Sequence, residues 1–175
     1  MHTVVKSAWH VASSTVDAIS DWTGRIVAWL VAGMVLAITY EVIARYGFNA
    51  PTIWAYDVTY MLYGTLFIMG AAYTLRHGAF IRVDVFYRKL SPRRKAILES
   101  CMYLLFFFPP LIVLLWKGID YIQLSWHMRE CTIMSPWRVP IYPFKTMLPA
   151  GIGLLLLQGL VDFIRNLGIA VKGVK

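Results

Sequence analysis

The chain has 175 residues, of which 59% are hydrophobic and only 15% are charged. An ordinary soluble domain carries about 25% charged residues, so this composition excludes that class and indicates an integral membrane protein. The net charge of +8 could suggest nucleic-acid binding. However, the basic residues flank apolar segments and do not line an aromatic groove, so no nucleic-acid partner is expected.

Four stretches without Asp, Glu, Lys or Arg predict four transmembrane helices. They are residues 26–40, 58–75, 100–116 and 146–161. With their flanking residues, each approaches the roughly 20 residues that cross a bilayer as a helix. We therefore place the spans at about 22–45, 54–76, 97–117 and 146–165. This leaves no room for a separate soluble domain, so residues 1–175 are predicted to form a single all-α membrane domain.

Two segments flanking the spans carry additional helix signals. Residues 4–19 place apolar side chains at helical spacing with serines and Asp17 between them, which predicts an amphipathic interfacial helix, with a frayed tail as the alternative. Ser91 and Pro92 have the residue types of an N-cap and a first helical position, so the third span should begin before the membrane and continue past Lys117. Pro109 and Pro110 should kink it at mid-membrane.

The distribution of positive charge predicts the orientation. Seven Lys and Arg lie between the second and third spans, one lies between the first and second, and four lie between the third and fourth. The positive-inside rule then places residues 77–96 in the cytoplasm together with both termini. Residues 118–145 would form a periplasmic loop if the protein lies in a bacterial inner membrane. Because this loop is rich in aromatic residues and proline, we expect it to be ordered at the interface.

Charged residues near the outer ends of the first two spans form one candidate site. Glu41 and Arg45 are four residues apart and share a helix face, and Asp57 opens the second span on the same side. Arg45 is therefore predicted to lie between the two acids. One interpretation is a proton or ion site, because ionisable residues at membrane depth are costly. We favour the other interpretation, a structural clamp, because these residues lie near the helix ends.

A second charged group is predicted near the cytoplasmic headgroups. It includes Arg25, His77 and Arg82, with Asp84 expected to pair with Arg76 or Arg82. The group could contact a partner protein or anionic membrane lipids, or it could serve only as a topology signal. The histidines lie outside the predicted spans, which argues against a haem-binding membrane anchor of a respiratory enzyme.

The sequence contains no pattern that supports catalysis. There is no Ser/His/Asp or Cys/His arrangement, no glycine-rich phosphate loop and no HExxH motif, so we expect neither an enzyme nor a cofactor or metal site. There is also no matching pair of broken helices, the usual indication of a transport site. Four spans without a central polar residue make a poor substrate pathway. The chain is therefore interpreted as an accessory subunit rather than a complete transporter.

Several segments together resemble the small membrane (Q) subunit of tripartite ATP-independent periplasmic (TRAP) transporters. The resemblance covers most of the chain and is carried by residues 41–48 (EVIARYGF), 54–57 (WAYD), 70–84 (GAAYTLRHGAFIRVD) and 137–143, followed by a Gly/Leu-rich last span. Phe80 stands where the family usually has His, and Asp57 stands where Glu is common. The order of these segments and the four-span layout carry the resemblance more than any single motif does.

The resemblance implies a secondary transport system with three parts. A periplasmic substrate-binding protein (P) captures an organic acid, and a large membrane subunit (M) carries it inward with a sodium gradient. The small subunit packs against the static scaffold of M and helps to dock P. On this basis Glu41, Arg45, Trp54, Asp57, Arg76 and Asp84 are expected to have structural or interface roles. Arg129 and Arg138 in the outer loop are candidates for docking P.

The alternative hypothesis is a self-sufficient small exporter that acts as a homodimer of four-helix subunits. Such a protein needs a membrane-embedded carboxylate in its first helix. Glu41 is the only candidate, and it lies at the wrong end of the predicted span. The chain is also longer than that class requires, so the accessory-subunit hypothesis is preferred.

Overall fold

The fold is a bundle of long helices, as seen in a computed structural model that describes residues 2–79, 91–133 and 135–172. The helices are α1 (His2–Val42), α2 (Ala55–Arg76), α3 (Pro92–Met102), α4 (Phe108–Met128), α5 (Tyr142–Lys145) and α6 (Met147–Lys172). Two π-helical turns, Ile43–Gly47 and Tyr103–Phe107, follow α1 and α3. Within those described ranges there is no β-strand, only an isolated antiparallel bridge between Cys131 and Pro140. Four segments of the described chain are long and apolar enough to cross a membrane, which confirms the predicted all-α class with four membrane-spanning helices.

The predicted N-terminal helix is continuous with the first span. Helix α1 has 41 residues, and at 1.5 Å per residue it is about 60 Å long, roughly twice the thickness of a bilayer's hydrocarbon core. The chain has no proline before Pro51, so nothing in the covalent chain breaks this helix. The helix predicted over residues 4–19 is thus present, and it joins the first span without interruption.

The third span follows the sequence signals closely. Ser91 is extended (φ −65°, ψ 152°) and α3 begins at Pro92, as predicted. The π-helical turn Tyr103–Phe107 is followed by Phe108 and then by Pro109 and Pro110. These prolines cannot donate to the carbonyl groups one turn earlier, and a widened turn is one way in which a helix accommodates such a loss. Helix α4 then continues to Met128, so the segment 118–145, predicted as a loop, begins with about three helical turns.

Helix α6 is the centre of the bundle. It packs against α1, α2, α3 and α4, whereas α1 packs mainly against α2. Close approach depends on small residues in α6: a Cβ atom at Gly151 would lie 3.0 Å from the backbone oxygen of Ile68, and one at Gly159 would overlap the Phe107 ring. Glycine at these two positions therefore allows α2 and the third span to reach the central helix.

Most of the large apolar side chains face outward. The buried apolar residues are few and mostly small, whereas Trp22, Trp29, Phe106 and Trp116 are largely exposed. In the most apolar window of the third span, no residue is buried inside the bundle. Such continuous apolar surface is not stable in water, so these faces are built to contact lipid or another protein.

Candidate functional site

The polar side chains collect in two layers at opposite ends of the bundle. We call the layer near Glu41 and residues 129–141 the hairpin end, and the layer near Asp17 the Asp17 end. In the hairpin end, Nε of Arg45 donates to Oε1 of Glu41 at 2.8 Å. The other Glu41 oxygen accepts from the Thr52 amide at 3.0 Å and from the Thr52 hydroxyl. Glu41 therefore fastens the end of α1 to the linker that leads into α2.

Asp57 has a different partner from the one predicted. Its side chain is only 4% exposed, and it accepts a hydrogen bond from the hydroxyl of Ser135. No ion pair joins Asp57 to Arg45 within the part of the chain that the structure describes, so the predicted position of Arg45 between two acids is wrong. The sequence could not show that a serine 78 positions away would reach the first turn of α2. Trp54, just before α2, stacks on Tyr40 of α1 at 5.6 Å.

Residues 129–133 and 135–141 form the two arms of a hairpin between α4 and α5. Arg129 ends α4 in the left-handed conformation (φ 46°), and the Glu130 amide donates to the Ser125 carbonyl at 3.1 Å, as in a Schellman motif. The Thr132 amide donates to the backbone carbonyl of Val139 at 2.8 Å, and the Ile141 amide donates to the backbone carbonyl of Glu130 at 3.0 Å. These bonds close the 129–141 hairpin on itself.

Glu130 connects the hairpin to its two flanking helices. Its carboxylate accepts from the Ser125 hydroxyl at 2.7 Å and pairs with Lys145 Nζ at 2.5 Å. Lys145 also donates to the Tyr121 hydroxyl at 2.6 Å. The hydrogen bonds from Lys145 and Ser125 hold the pKa of Glu130 below its ordinary value, against an opposing effect of burial. The hairpin is thus anchored to α4 and α5 at its base and to α2 through Ser135.

Arg129 and Arg138, the predicted docking residues, both lie on this hairpin. Both side chains are exposed, and both residues have a positive φ, 46° and 48°. No carboxylate among the described residues pairs with either guanidinium group. The structure thus brings the two arginines into one small loop but shows no contact that explains their charge.

The Asp17 end contains a buried polar network that the sequence analysis missed. Gln158 in α6 is 0% exposed and Ser20 in α1 is 1% exposed. The Ser20 hydroxyl donates to Gln158 Oε1 at 2.9 Å, and Gln158 Nε2 donates to Asp17 Oδ1 at 3.1 Å. Arg165 completes the network with a 2.5 Å bond to Asp17 Oδ2. Gln158 follows four leucines within an uncharged stretch, and this isolated amide was the available signal.

Arg76 extends the same layer to α2. It forms an ion pair with Asp21 of α1 at 2.6 Å and also donates to the Asp17 carbonyl oxygen. Nε2 of His77 lies 3.8 Å from Asp21 Oδ1. Asp84 and Arg82, the expected partners in this region, lie outside the described residues. Arg76 therefore has a partner on α1 that sequence spacing did not indicate.

The described side chains of the two layers form no metal-binding group. Across the described ranges, no group of three His, Cys, Asp or Glu side chains could hold a metal ion. The groove beside Glu41 and Arg45 has a volume of about 290 Å³ and is open rather than enclosed. The geometry of both layers joins one helix to another.

Comparison with known families agrees with this architecture. The family of tripartite ATP-independent periplasmic transporters, DctQ component, matches residues 34–168. The chain belongs to this family. Comparison with individual curated proteins produced no significant match. Membership of the DctQ family confirms the resemblance to the small TRAP membrane subunit and makes the chain a transporter component, not a member of an enzyme family. The matched region includes Gln158, Arg165 and Arg76 but begins after Asp17 and Ser20.

Proposed function

We propose that this DctQ-family chain is an accessory subunit that braces the static scaffold of the large membrane subunit M in a bacterial inner membrane. The observation that carries the proposal is the uncovered apolar surface of the spans, above all the third, none of whose most apolar window is buried. A small bundle that holds its own helices together through polar layers leaves its apolar faces free for a membrane partner. Membrane lipids would cover the remainder.

We assign no transport pathway to this chain. Among the described residues, Arg165 pairs with Asp17 across two helices, and Glu41 pairs with Arg45 one turn further along the same helical segment. This supports the clamp interpretation for Glu41, Arg45, Trp54, Asp57 and Arg76. In the proposed system, M carries the organic acid by using a sodium gradient. The small subunit holds the static scaffold of M in place.

The proposed orientation places the Asp17 end in the cytoplasm and the hairpin end in the periplasm. It rests on the excess of positive charge between the second and third spans. In this orientation the 129–141 hairpin faces the compartment of the soluble binding protein P. We therefore assign the hairpin a part in docking P.

The decisive experiment is a pull-down of the tagged chain from detergent-solubilised native membranes, read by mass spectrometry. An unrelated four-helix membrane protein with the same tag is the control. A large polytopic permease recovered in stoichiometric amount would support the bracing function. Recovery of a homodimer without any permease would contradict it and favour the exporter hypothesis, which makes Glu41 the first residue to replace.

A further inference from the structure

The exposed face of α2 consists entirely of aromatic side chains. Of the 22 residues of this helix, four are exposed, and they are Tyr56, Tyr60, Tyr63 and Phe67. Each of the four is between 55% and 71% exposed. Their spacing of four, three and four residues places them in a single line on one side of the helix. We call these four residues the aromatic row.

Three residues of the row carry hydroxyl groups that this chain leaves without a partner. Within the described residues, no hydrogen bond involves the phenol of Tyr56, Tyr60 or Tyr63. Tyrosine is common at the headgroup level, where its polar end is wet. Tyr63, however, lies about 12 Å along the helix from Ala55, and its ring stacks on Phe67 with centroids 6.3 Å apart. A hydroxyl that faces lipid chains at this depth finds no partner, which is costly.

The third span presents a different kind of surface. Its exposed side chains include Leu105, Phe106 and Val113, which carry no polar atom. Lipid chains satisfy such a surface as well as a protein does. Helix α2 is also the least hydrophobic of the four candidate spans. The aromatic row is therefore a part of the uncovered surface that a protein with polar groups satisfies and lipid chains do not.

We propose that a transmembrane helix of the large subunit M packs lengthwise on the aromatic row and forms hydrogen bonds with its phenol hydroxyls. The proposal rests on the bracing function proposed above, because it assigns one specific contact within that function. Polar side chains or free backbone carbonyls of M would accept the hydroxyl protons of Tyr60 and Tyr63. The apolar parts of the four rings would supply the packing surface.

The spacing of the row indicates the shape of its partner. Side chains that alternate between steps of three and four residues form the seam along which two helices cross at about 20° and stay in contact over several turns. From Tyr56 to Phe67 this seam is about 17 Å long. Tyr60 also packs on Phe144 with ring centroids 5.8 Å apart. A ring that already has a neighbour loses less conformational freedom when a partner binds.

Site-specific photo-cross-linking tests which surface covers the row. The photoreactive amino acid p-benzoylphenylalanine replaces Tyr63 or Phe67 in turn, and the tagged chain is irradiated in native membranes that contain M. We expect both positions to form an adduct with M, identified by mass spectrometry. The control is the same probe at Leu62, which faces Gly33 of α1 and should react within the chain. Adducts of Tyr63 and Phe67 with lipid alone would overturn the proposal.

Removal of the hydroxyl groups tests the hydrogen bonds separately. Tyr63→Phe keeps the ring and makes α2 more apolar, so membrane insertion should not be impaired. We expect this variant to raise the Kd for M about threefold, the effect of an average hydrogen bond between transmembrane helices. Tyr60→Phe/Tyr63→Phe should raise it about tenfold. Energy transfer between the two labelled subunits, diluted in detergent micelles, measures this Kd. Tyr40→Phe is the matched control, because Tyr40 is an exposed tyrosine of α1 outside the row.

The outcomes distinguish this inference from the proposed function. If M does not co-purify with the wild-type chain, the bracing role fails and this inference fails with it. If M co-purifies but the probes at Tyr63 and Phe67 do not reach it, only this inference is overturned. If those probes label a second copy of this chain, the row is a homodimer face and the inference is equally wrong. If Tyr60→Phe/Tyr63→Phe binds M as tightly as the Tyr40→Phe control, the proposed hydrogen bonds do not exist.

Discussion

Replacement of Gln158 by Leu tests whether the Asp17 end holds the bundle together. Gln158 is fully buried in α6 and bonds to Ser20 and Asp17 of α1. Leucine has a similar volume, so Gln158→Leu removes the hydrogen-bonding groups without opening a large cavity. Helices α1 and α6 would lose their direct side-chain bonds through Gln158, while Asp17 would keep its bond from Arg165.

The magnitude follows from the two bonds and the group left behind. Hydrogen bonds between transmembrane helices contribute on average about 0.6 kcal/mol each, with a maximum near 1.7 kcal/mol. The Ser20 hydroxyl, 1% exposed, would also lose its partner, and an unsatisfied buried polar group costs about 1 kcal/mol or more. We therefore expect Gln158→Leu to lower the free energy of unfolding by about 2 kcal/mol.

A double-mutant cycle makes the expectation specific. Ser20→Ala removes the other side of the 2.9 Å bond, so the double variant leaves neither group unsatisfied and should cost about 1 kcal/mol less than the sum of the single variants. The assay is reversible unfolding of the purified chain from mild detergent into SDS, followed by tryptophan fluorescence. Gln123→Leu is the matched control, because Gln123 is exposed in α4 and should change stability by less than about 0.5 kcal/mol.

The reasoning would be refuted by either of two results. One is a Gln158→Leu variant as stable as the Gln123→Leu control. The other is strict additivity between Gln158→Leu and Ser20→Ala, which would mean that the two side chains do not interact. Either result would show that the bonds of Gln158 do not help to hold α1 against α6.

Three further predictions concern helix packing, the outer clamp and the hairpin. Gly151→Ala should destabilise the bundle by about 1–3 kcal/mol, because the added methyl group would meet the Ile68 backbone. Gly153→Ala is the control and should not destabilise the bundle, because no atom lies within 4 Å of the added methyl group. Unfolding of both variants in SDS measures the difference. Arg45→Ala should lower transport and complex yield together, and unchanged yield with altered substrate preference would contradict it. The pKa of Glu130 lies below its ordinary value of 4.5. Its contribution to hairpin stability should therefore be complete above about pH 4.5 and be lost as the pH falls through the folded-state pKa. Hydrogen exchange of the hairpin amides, corrected for intrinsic rates, should show this loss in the wild type but not in Glu130→Gln.

Much of the fold could be predicted because it depends on local features of the sequence. Runs without charge locate the four spans, the Ser91-Pro92 pair locates the start of α3, and Pro109-Pro110 mark the irregular turn in the third span. The Glu41–Arg45 pair was also accessible, because a separation of four residues on a helix fixes proximity. Each of these inferences depends only on residues that are close to one another in the sequence.

The contacts between distant segments could not be predicted in the same way. Ser20 meets Gln158 across 138 positions, and Asp57 meets Ser135 across 78, so both depend on how the helices rotate and cross. Gln158 was also missed because the spans were located by the absence of charged residues, and a glutamine side chain carries no charge. The pairing of Arg45 with Asp57 failed for a related reason: the sequence shows that both lie at one end of the bundle but not which direction each side chain takes.

The Asp17 end also bears on how much of the chain the small subunit needs. The family match begins at residue 34, yet Asp17, Ser20 and Asp21 lie before it and bond to Gln158, Arg165 and Arg76 within it. The contact between Ser20 and Gln158 joins two residues that are almost fully buried, so it is not an incidental surface pair. Because α1 is also continuous through residue 34, its first half is held both by the helix itself and by side chains from α2 and α6. The part of α1 that carries Asp17 and Ser20 therefore belongs to the bundle and is not an appended tail.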